Sequence, residues 1–536
     1  MNTDMTIYQS TLPFKDSSEV ALFFRNHQIT HKQFNQRVDK YADILFNLGI
    51  RKDDVVSILS PNIPECIIVY YALNKIGAIA AFLHPLIPSN LLKEAMIESK
   101  TKYFIVIDLF YNKYKCVSEQ LGIKTFLLSV DEDLNFVEKV VYHLKNKKDL
   151  QNIKDELYIY KNDSSTATFQ INNDFNKPSV YLRSGGTTGK SKTIVLSDKQ
   201  LLYPGSLASW ITDCKLDGKT IIGFLPLFHG FGLAMGVIAP LMNNASSLLM
   251  VKFDLKEVIK NIKKDHLHVL IFIPYLVKKI LDSGKFKGKY LSNLIATFCG
   301  ADKTPSYIID EYDSLMNKYD SQAVLLEGYG LTETVTVTFV NTLKNNKKGS
   351  VGKPLLGTKF KIVNEDNLED DIGSNKTGLI LISSPALCIG YLNDEDPFYI
   401  DNSGEKWLIT GDIGYHDDEG YLFFSNRKKD VYKIAGYNVF PSQIEEIASS
   451  FDEVTFACCI FINDEKHPYL KLFVELNKDM NINKEELKVK IKGKLESSLI
   501  KYSVPEKIIL LDELPRTNIG KIDKKKLVEY KWKVVF

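Results

Sequence analysis

The alternation of short apolar runs with helical stretches is the feature that most restricts the fold of this chain. Buried-strand patterns occur at Val55–Leu59, Tyr103–Ile107, Thr220–Leu225, Val269–Ile273 and Leu294–Cys299. Helical patterns lie between several of them, as at Pro64–Ile76, Leu201–Ile211 and Leu255–Lys264. Apolar strands that alternate with helices are typical of parallel sheets with helices packed on their faces. The sequence therefore predicts an α/β fold with layers of parallel sheet.

The amino-acid composition and the secondary-structure pattern change twice towards the C-terminus. Glycine and aspartate become dense from about residue 349 to 420, with turn signals that indicate a β-rich subdomain. Two strand-like runs and a charged helix follow, at Thr455–Ile462, Leu470–Leu476 and Lys484–Leu495. A chain of 536 residues is too long for one core, since domains usually contain about 150 residues. We therefore expect an N-terminal domain over residues 1–427, β-rich at about 349–427, and a small C-terminal domain over 428–536.

Charge and cysteine content narrow the classes of partner. Lys and Arg total 68 while Asp and Glu total 66, so no overall basic field exists to bind nucleic acid. The seven cysteines form no C-x-x-C pair, and their spacing suits neither a zinc site nor a disulfide framework. Residues Met1 to Lys15 show no charged region followed by an apolar run, so no signal peptide is expected. These features favour a cytoplasmic enzyme with reduced thiols.

Residues 221–250 contain no Asp, Glu, Lys or Arg, and their length alone would permit a membrane-spanning helix. Pro226, His229 and Pro240 interrupt this stretch, together with several glycines. A helix that faces lipid tolerates such breaks poorly. We therefore expect a buried strand, loop and helix here, and no membrane span.

A loop rich in glycine and hydroxyl groups, within Tyr181–Lys192, is the strongest local signal. Its hydroxyls, glycines and cations are Ser184, Thr187, Thr188, Gly185, Gly186, Gly189, Lys190 and Lys192. Glycines let backbone N–H groups approach an anion closely, and hydroxyls and lysines add donors and charge, so the loop suits a polyphosphate. It is not a Walker A loop, because Ser184 stands where the first glycine belongs. A flexible surface turn is the alternative interpretation.

The segment Gly328–Thr334 places a tyrosine, a threonine and a carboxylate after an apolar run. Tyr329 could stack on a base, and Thr332 could donate to a phosphate. Glu333 could hold Mg²⁺, which usually takes one or two carboxylates together with nucleotide oxygens. Taken alone, this segment would be explained as well by a plain β-turn.

Three charged side chains nearer the C-terminus also suit a nucleotide site. Asp412 follows a strand-like run and a glycine turn, and Arg427 lies fifteen residues further on. A carboxylate that accepts two ribose hydroxyls, with a guanidinium beside it, would fix a nucleoside. Lys521 follows a glycine in a short loop, where a mobile cation could close over two reacting anions. A surface salt bridge and an ordinary surface lysine are the alternative interpretations.

Taken together and in this order, the motifs resemble those of the adenylate-forming superfamily, which includes acyl- and aryl-CoA synthetases, peptide-synthetase adenylation domains and beetle luciferases. The resemblance runs from about residue 18 to 528, with matches at Ser184–Lys192, Tyr329–Glu333, Thr410–Asp412, Arg427–Lys433 and Pro515–Lys521. It implies an N-terminal domain of two layered α/β subdomains and a β-rich subdomain, followed by a small, mobile α+β domain. It also implies two half-reactions. A carboxylate and MgATP give acyl-AMP and pyrophosphate, and a thiol, usually that of CoA, then displaces AMP.

The resemblance assigns roles to individual residues. Lys521 would be the catalytic lysine, Lys429 the hinge of the small domain, and Glu333 the Mg²⁺ ligand. The phosphates of ATP would contact Ser184, Gly185, Gly186, Thr187, Thr188, Gly189, Lys192 and Thr332. The adenine and ribose would contact Gly300, Ala301, Tyr329, Asp412 and Arg427. The acyl or CoA pocket would contain His229, Lys433 and Gly436, although His229 could equally be a core histidine.

Several positions depart from the family pattern. Ser191 replaces the usual proline, Thr193 the usual glycine and His84 a common asparagine. Asp302-Lys303 replaces a pair that is normally small and apolar. The first two departures should change the stiffness of the phosphate loop without deleting a donor, whereas Asp302-Lys303 bears on the adenine and acyl pockets. A catalytically silent nucleotide-binding homologue is therefore one alternative, against which the retained Lys521 argues.

Three features bear on the acceptor. The hinge position is Lys429, where peptide-synthetase domains usually carry Asp, and Gly436–Glu445 looks like the G-x-x-V-x-P-x-x-I-E segment of CoA ligases. We expect no carrier-protein domain to follow. We therefore expect an acid–CoA ligase that uses ATP, Mg²⁺ and CoA, and the apolar residues around Phe228–Met235 indicate a hydrophobic fatty or aryl acid. A stand-alone enzyme that loads a carrier protein is the second hypothesis, because aryl-acid activating enzymes of that kind also contain the Ser-Gly-Gly-Thr sequence that begins at Ser184. A luciferase-like oxygenase is the third.

Overall fold

The computed structural model describes residues 3–162, 164–184, 191–428, 432–434, 437–462, 469–478, 480, 482–517 and 520–529, with only the backbone of Lys433, Tyr437 and Asn438. The α-helices are α1 Ile7–Thr11, α2 His31–Asn47, α3 Pro64–Ile76, α4 Ser89–Glu98, α5 Asp108–Leu121, α6 Phe136–Lys145, α7 Asp198–Ser206, α8 Ala208–Ile211, α9 Ala239–Leu241, α10 Leu255–Lys263, α11 Pro274–Asp282, α12 Ser306–Lys318, α13 Pro441–Ala448, α14 Lys484–Ser498 and α15 Lys524–Val528.

The strands of the N-terminal half are β1 Val20–Phe24, β2 His27–Thr30, β3 Val55–Leu59, β4 Ile79–Phe82, β5 Tyr103–Ile107, β6 Lys124–Leu128, β7 Pro178–Arg183, β8 Thr193–Ser197, β9 Thr220–Gly223, β10 Ser246–Leu249, β11 Val269–Phe272, β12 Ala296–Cys299, β13 Leu325–Tyr329 and β14 Phe339–Val340. The remaining strands are β15 Lys353–Pro354, β16 Lys359–Asn364, β17 Asn367–Asp371, β18 Gly378–Ser383, β19 Gly390–Tyr391, β20 Phe398–Ile400, β21 Lys406–His416, β22 Leu422–Arg427, β23 Tyr432–Ile434, β24 Tyr437–Val439, β25 Val454–Ile462, β26 Tyr469–Leu476 and β27 Lys507–Leu511.

One large sheet has the strand order β15-β14-β13-β12-β11-β9-β10-β1-β2. Its strands from β13 to β1 run parallel, while β2, β14 and β15 are antiparallel additions at the two edges. Every residue of β11 and β12 is buried. Since the carboxyl ends of parallel strands meet at one edge of a sheet, the loops that follow β11, β12 and β13 lie side by side.

A second α/β sheet has the order β19-β8-β7-β4-β3-β5-β6. The strands from β7 to β6 are parallel, and β8 returns from β7 as an antiparallel hairpin whose other edge pairs with β19. Helix α3 is buried along nearly its whole length, including Glu65. Pro64 opens this helix and Gly77 ends it at φ +90°, as the proline and glycine preferences of helix ends predict.

Residues after β15 form an antiparallel sheet, β17-β16-β18-β21-β20, with β22 paired to β21. The residues from 432 onwards, here called the C-terminal segment, form the hairpin β23–β24 and the sheet β25-β26-β27, on which α13 and α14 pack. Their own apolar cluster contains Val439, Ile444, Leu472 and Ile491. The other face of this segment, with Phe456, Ile460, Phe473 and Leu514, joins the apolar core of the N-terminal part. The domain boundaries given above stay a prediction.

The predicted α/β class and its layers of parallel sheet are confirmed, and β3, α3 and β5 have the predicted bounds. The expected helix over Leu201–Ile211 is divided into α7 and α8, and Pro204, which lacks a backbone N–H, lies near the end of α7. Residues 221–250 form the rest of β9, a π-helix at Phe231–Ile238, α9 and β10, which confirms a buried strand, loop and helix. Among the described residues, no helix has the length and apolar character needed to cross a membrane.

Candidate functional site

The predicted adenine-site residues lie at the carboxyl ends of neighbouring parallel strands. Gly300 and Ala301 follow β12, and Tyr329 ends β13. A Cβ atom on Gly300 would lie 3.4 Å from the carbonyl oxygen of Gly328, so the two strand ends pack closely. Ala301 has a φ of +73°, a left-handed conformation that turns the chain out of the sheet. The structure therefore brings Gly300, Ala301 and Tyr329 together, at the edge where α/β sheets bind ligands.

The predicted ribose residues are joined by strand pairing. Asp412 in β21 lies directly opposite Arg427 in β22, and Arg427 Nε is 3.4 Å from Asp412 Oδ1. The Tyr329 hydroxyl donates to Asp412 Oδ2 at 2.6 Å, which links the antiparallel sheet to the end of β13. The side chain of Asp412 is only 2% exposed, so this pair is not a surface salt bridge. Burial, with the nearby Asp412 carboxylate, raises the pKa of Tyr329 well above its usual value.

Thr332 and Glu333 lie in a short 3₁₀ turn directly after β13. The Tyr391 hydroxyl donates to Glu333 Oε1 at 2.7 Å, and the Cys388 N–H donates to the Glu333 carbonyl oxygen at 2.8 Å. Tyr391 belongs to the edge strand β19, 58 residues away in sequence, so no local pattern could have pointed to it. Its contact fixes the orientation of the carboxylate that was predicted to hold the metal ion.

The surroundings of Glu333 fit the predicted Mg²⁺. Its carboxylate is half-buried and held in place by Tyr391 through one oxygen. Oxygen donors of this kind suit Mg²⁺, which keeps water and phosphate oxygens as its other ligands. No group of three or more His, Cys, Asp or Glu side chains that could hold a metal ion occurs within the part of the chain that the structure describes. Glu333 would thus act together with the phosphates of ATP.

The described part of the predicted phosphate loop is its base, between β7 and β8. The N–H of Ser184 donates to the Lys192 carbonyl oxygen at 2.8 Å, and the N–H of Lys192 donates to Ser184 Oγ at 3.0 Å. Ser191 Oγ donates to the Ser184 carbonyl oxygen at 2.7 Å, so this departure from the family pattern adds a hydrogen bond that proline could not make. Predicted phosphate ligands that lie outside the described residues are Gly185, Gly186, Thr187, Thr188 and Gly189.

The side chain of Lys192, also predicted as a phosphate ligand, points to Tyr391. Its Nζ lies 4.4 Å from the centre of the Tyr391 ring and 3.4 Å from Asp394 Oδ1. Because Tyr391 also holds Glu333, the predicted phosphate and metal residues are linked through one aromatic side chain.

The structure brings Lys521 from the C-terminal segment into this cleft. Burial lowers the pKa of Lys521, Asp302 and Asp412 act to raise it, and Arg427 acts to lower it. The ammonium group therefore lies within electrostatic range of all three side chains. The catalytic role of Lys521 stays a prediction.

His229 lies on the same side of the cleft as Lys521. Burial, together with the nearby Lys521 and His84, lowers its pKa to about 4. Its ring centre is 4.5 Å from that of Phe228, which is in turn 4.6 Å from the ring of His84. Its Nε2 atom is buried and has no hydrogen-bond partner among the described residues. His229 is therefore a neutral imidazole between an apolar wall and a cation.

Comparison with known proteins identifies the family. The family description "AMP-binding enzyme" matches residues 14–392, and "AMP-binding enzyme C-terminal domain" matches residues 443–521. The chain belongs to the AMP-binding enzyme family. This confirms the predicted superfamily and the predicted class of enzyme, an AMP-forming ligase. The predicted ATP, Mg²⁺ and CoA agree with that membership.

Relatives of this AMP-binding enzyme align over nearly its whole length. A long-chain-fatty-acid–CoA ligase from Bacillus subtilis is 27% identical over 524 residues, which cover 95% of this chain and 91% of the relative. The 4-coumarate–CoA ligase-like 8 protein of Arabidopsis thaliana is 25% identical and covers 98% and 92%. The crystal structure of ATP-bound MatB from Rhodopseudomonas palustris superposes with a TM-score of 0.83 at 20% identity, covering 99% of both chains. That likeness supports the fold.

In this AMP-binding enzyme, the unusual pair Asp302-Lys303 faces the C-terminal segment. The negative charge of Asp302 acts to raise the pKa of Lys521, and Lys303 Nζ is 2.9 Å from Glu446 Oε2 of α13. Other contacts join the same two parts: Asn426 Nδ2 donates to Ser442 Oγ at 2.8 Å, and the Tyr307 hydroxyl donates to the Thr455 carbonyl oxygen. Two charged side chains have thus replaced apolar ones where they meet charges of opposite sign.

Arg516, in the loop that carries Lys521, anchors this loop to the N-terminal part. Its guanidinium lies 4.0 Å from the centre of the Tyr275 ring and 4.5 Å from that of Phe456, and it donates to Glu475 Oε2 at 3.0 Å. Of the other predicted residues, Lys433 has its backbone in β23, whereas Lys429 and Gly436 lie outside the described residues. Their roles stay predictions.

Proposed function

We propose that this enzyme is an ATP-dependent acid–CoA ligase that activates a hydrophobic carboxylic acid, fatty or aryl, as acyl-AMP and transfers the acyl group to the CoA thiol. The observation that carries the proposal is the position of Lys521, which is half-buried and near enough to Asp302, Asp412 and Arg427 for their charges to act on it. The names of the relatives, a long-chain-fatty-acid–CoA ligase and a coumarate–CoA ligase-like protein, support the two classes of acid.

The charges of the cleft suit the first half-reaction. A carboxylate oxygen attacks the α-phosphorus of ATP, a new O–P bond forms, and pyrophosphate leaves with the electron pair of the broken bond. Two anions must approach each other in this step, and the ammonium of Lys521 and the guanidinium of Arg427 reduce their repulsion. Asp412 and Arg427 hold the ribose and Tyr329 contacts the adenine, so the α-phosphate is presented in one orientation. Mg²⁺ at Glu333 would neutralise charge on the phosphates and on the leaving pyrophosphate.

The acyl pocket is proposed to begin at His229. Neutral at pH 7 because of its low pKa, this histidine offers one polar atom, Nε2, to the acid without adding a buried charge. Phe228 packs against it, and every residue of the π-helix after Phe231 is buried. A tail made of methylene groups or an aromatic ring would suit such a wall, whereas a second carboxylate would lack a partner there.

An exchange assay tests adenylation directly. Purified full-length protein, MgATP and labelled pyrophosphate are incubated with single fatty and aryl acids, and we expect label to enter ATP with at least one hydrophobic acid. Lys521→Ala should lower this exchange by about a hundredfold or more, since it removes the cation that reduces the repulsion between the two reacting anions. The matched control is Lys525→Ala, which changes an exposed lysine of α15. If folded wild-type protein supports no exchange with any acid, the proposal is wrong.

A second assay distinguishes the acceptors. CoA is added to the exchanging mixture, and AMP release and the mass of a thioester are measured. A CoA ligase releases AMP and forms acyl-CoA, whereas an enzyme that loads a carrier protein would leave free CoA unchanged. Lys429→Ala should retain exchange and lose thioester formation if Lys429 is the hinge. Equal loss in both half-reactions would remove that assignment.

A further inference from the structure

Helix α6 exposes large apolar side chains along one face. The exposed fractions are Phe136 80%, Val137 68%, Val140 44%, Val141 42% and Leu144 71%. With about 100° of rotation per residue, these positions fall within an arc of about 140° on the helix surface. Single exposed apolar residues are common on proteins, but five on one short helix form a continuous strip, here called the α6 face.

The rest of α6 is fixed to the protein, so the α6 face has a defined orientation. Tyr142 is buried, and its hydroxyl donates to Asp108 Oδ1 at 2.5 Å. Glu138 lies 2.9 Å from His27 Nε2 and also completes a capping box with Asn135 at the start of the helix. His143 Nε2 is 3.1 Å from Asp131. Tyr142, Glu138 and His143 thus hold the helix in place.

Positive charge accompanies the α6 face. Residues 136–148 contain four lysines, of which Lys145, Lys147 and Lys148 are exposed and Lys139 is half-buried. The one acid in this stretch, Glu138, faces His27, and the next acid along the chain is the exposed Asp149. An apolar strip with lysines at its edge and no unpaired acid within it has the charge that complements an anionic surface.

We propose that the α6 face docks on the surface of an anionic lipid bilayer. An amphipathic helix that lies in the interface buries its apolar side chains among the acyl chains, while lysines stay with the headgroups. The lysine cluster favours this occupant over a second copy of the chain, because two copies of the same basic edge would repel each other. The inference goes beyond the proposed activity, since it concerns where the enzyme binds and not what it converts.

Vesicle sedimentation with the full-length protein tests the proposal. Two kinds of vesicle are used, one of pure phosphatidylcholine and one of equal parts phosphatidylcholine and phosphatidylglycerol. We expect the protein to sediment with the anionic vesicles and to be released by salt. The double variant Phe136→Ser/Leu144→Ser should lower the partition coefficient by about tenfold or more. The control is Val489→Ser, which removes an equally exposed apolar side chain (72%) from α14 and should leave binding unchanged.

A charge variant tests the second part of the argument. Lys147→Ser/Lys148→Ser should lower the partition coefficient on anionic vesicles by about tenfold at low salt. Thermal unfolding and circular dichroism of each variant should match the wild type, because these side chains are exposed; this check holds whatever the protein catalyses. Absence of binding to anionic vesicles, or equal binding by all variants, overturns the proposal. So does a concentration-dependent dimer that Phe136→Ser/Leu144→Ser abolishes, because the α6 face would then be covered by a second copy.

Discussion

At the residue scale, the behaviour of Lys521 depends on a balance of nearby groups. Burial lowers its pKa because the ammonium loses hydration, and Arg427 adds repulsion. Asp302 and Asp412 act in the opposite direction and help to keep the proton in place. Asp412 is already engaged with Tyr329 and Arg427, which leaves Asp302 as the group that can be altered without touching the ribose residues.

Asp302→Asn should move the alkaline limb of the activity profile. The change removes a negative charge that raises the pKa of Lys521, so the ammonium will lose its proton at a lower pH. The pH at which ATP–pyrophosphate exchange falls to half its maximum should therefore decrease. Asp320→Asn, at an exposed position, is the control and should leave this limb unchanged. A limb that stays in place, or moves to higher pH, would contradict the role of Asp302.

The low pKa of His229 predicts how the stability of the folded protein depends on pH. Its pKa of about 4 in the folded chain lies below the usual value of about 6.5, so the unfolded chain binds more protons between these two values. Stability is therefore lost as the pH falls below about 6.5, by about 2 kcal/mol at about pH 5. His229→Gln should show a smaller decrease in Tm than wild type between about pH 7 and about pH 5. The exposed His143→Gln serves as the comparison, and parallel losses in all three proteins would refute the effect.

At the element scale, the start of the π-helix is wedged against the turn that carries Glu333. A Cβ atom on Gly230 would lie 1.6 Å from the carbonyl oxygen of Val335, a distance that real atoms cannot adopt. Val335 itself has a φ of +65° directly after the 3₁₀ turn. Side chains larger than hydrogen at position 230 must therefore displace the residues that follow Glu333.

Gly230→Ala should destabilise the protein by about 1–3 kcal/mol, because the backbone of Val335 has to move. Since that movement reaches Glu333, the KM for MgATP should increase as well. The matched control lies in the same π-helix: a Cβ on Gly236 would be 3.6 Å from Gly223 Cα, an ordinary contact. Thermal unfolding and exchange kinetics of Gly230→Ala and Gly236→Ala check the prediction, and equal Tm values for the two variants would contradict it.

Individual helices and strands show which features of the fold the sequence could predict. β3, α3 and β5 could be predicted to the residue, because their apolar runs end at turn and cap signals such as Pro64 and Gly77. The break between α7 and α8 and the π-helix were not anticipated, since both depend on packing that no periodicity records. The contact of Tyr391 with Glu333 was missed for a related reason, because it arises from strand pairing across 58 residues.

At the scale of the whole molecule, charged contacts help to position the C-terminal segment. The motifs predict Lys521 as a site residue, whereas Asp302 stands out in the sequence only as a departure from the family pattern. In the structure, Lys303 pairs with Glu446, and the negative charge of Asp302 acts on Lys521. Such tertiary partners belong to elements far apart in the chain, so local sequence could not reveal them.

Lys303→Glu should weaken this arrangement by like-charge repulsion with Glu446. Both side chains are largely exposed, at 42% and 62%, so the effect should be no more than about 1 kcal/mol, or about fivefold. We expect the kcat of ATP–pyrophosphate exchange to fall by that factor, and the double variant Lys303→Glu/Glu446→Lys to restore it. A double variant as slow as the single one would show that this ion pair does not position the segment.

The apolar contacts between the C-terminal segment and the N-terminal part depend on temperature. One apolar cluster joins the core of the N-terminal part to four side chains of the C-terminal segment, namely Phe456, Ile460, Phe473 and Leu514. Any rotation of this segment must therefore expose these side chains to water. Such contacts weaken as the temperature falls, because their strength near ambient conditions is largely entropic. If the C-terminal segment rotates as the family resemblance implies, cooling should favour its detached position and warming its packed position. The conformation of the enzyme would then depend on temperature as well as on ligand.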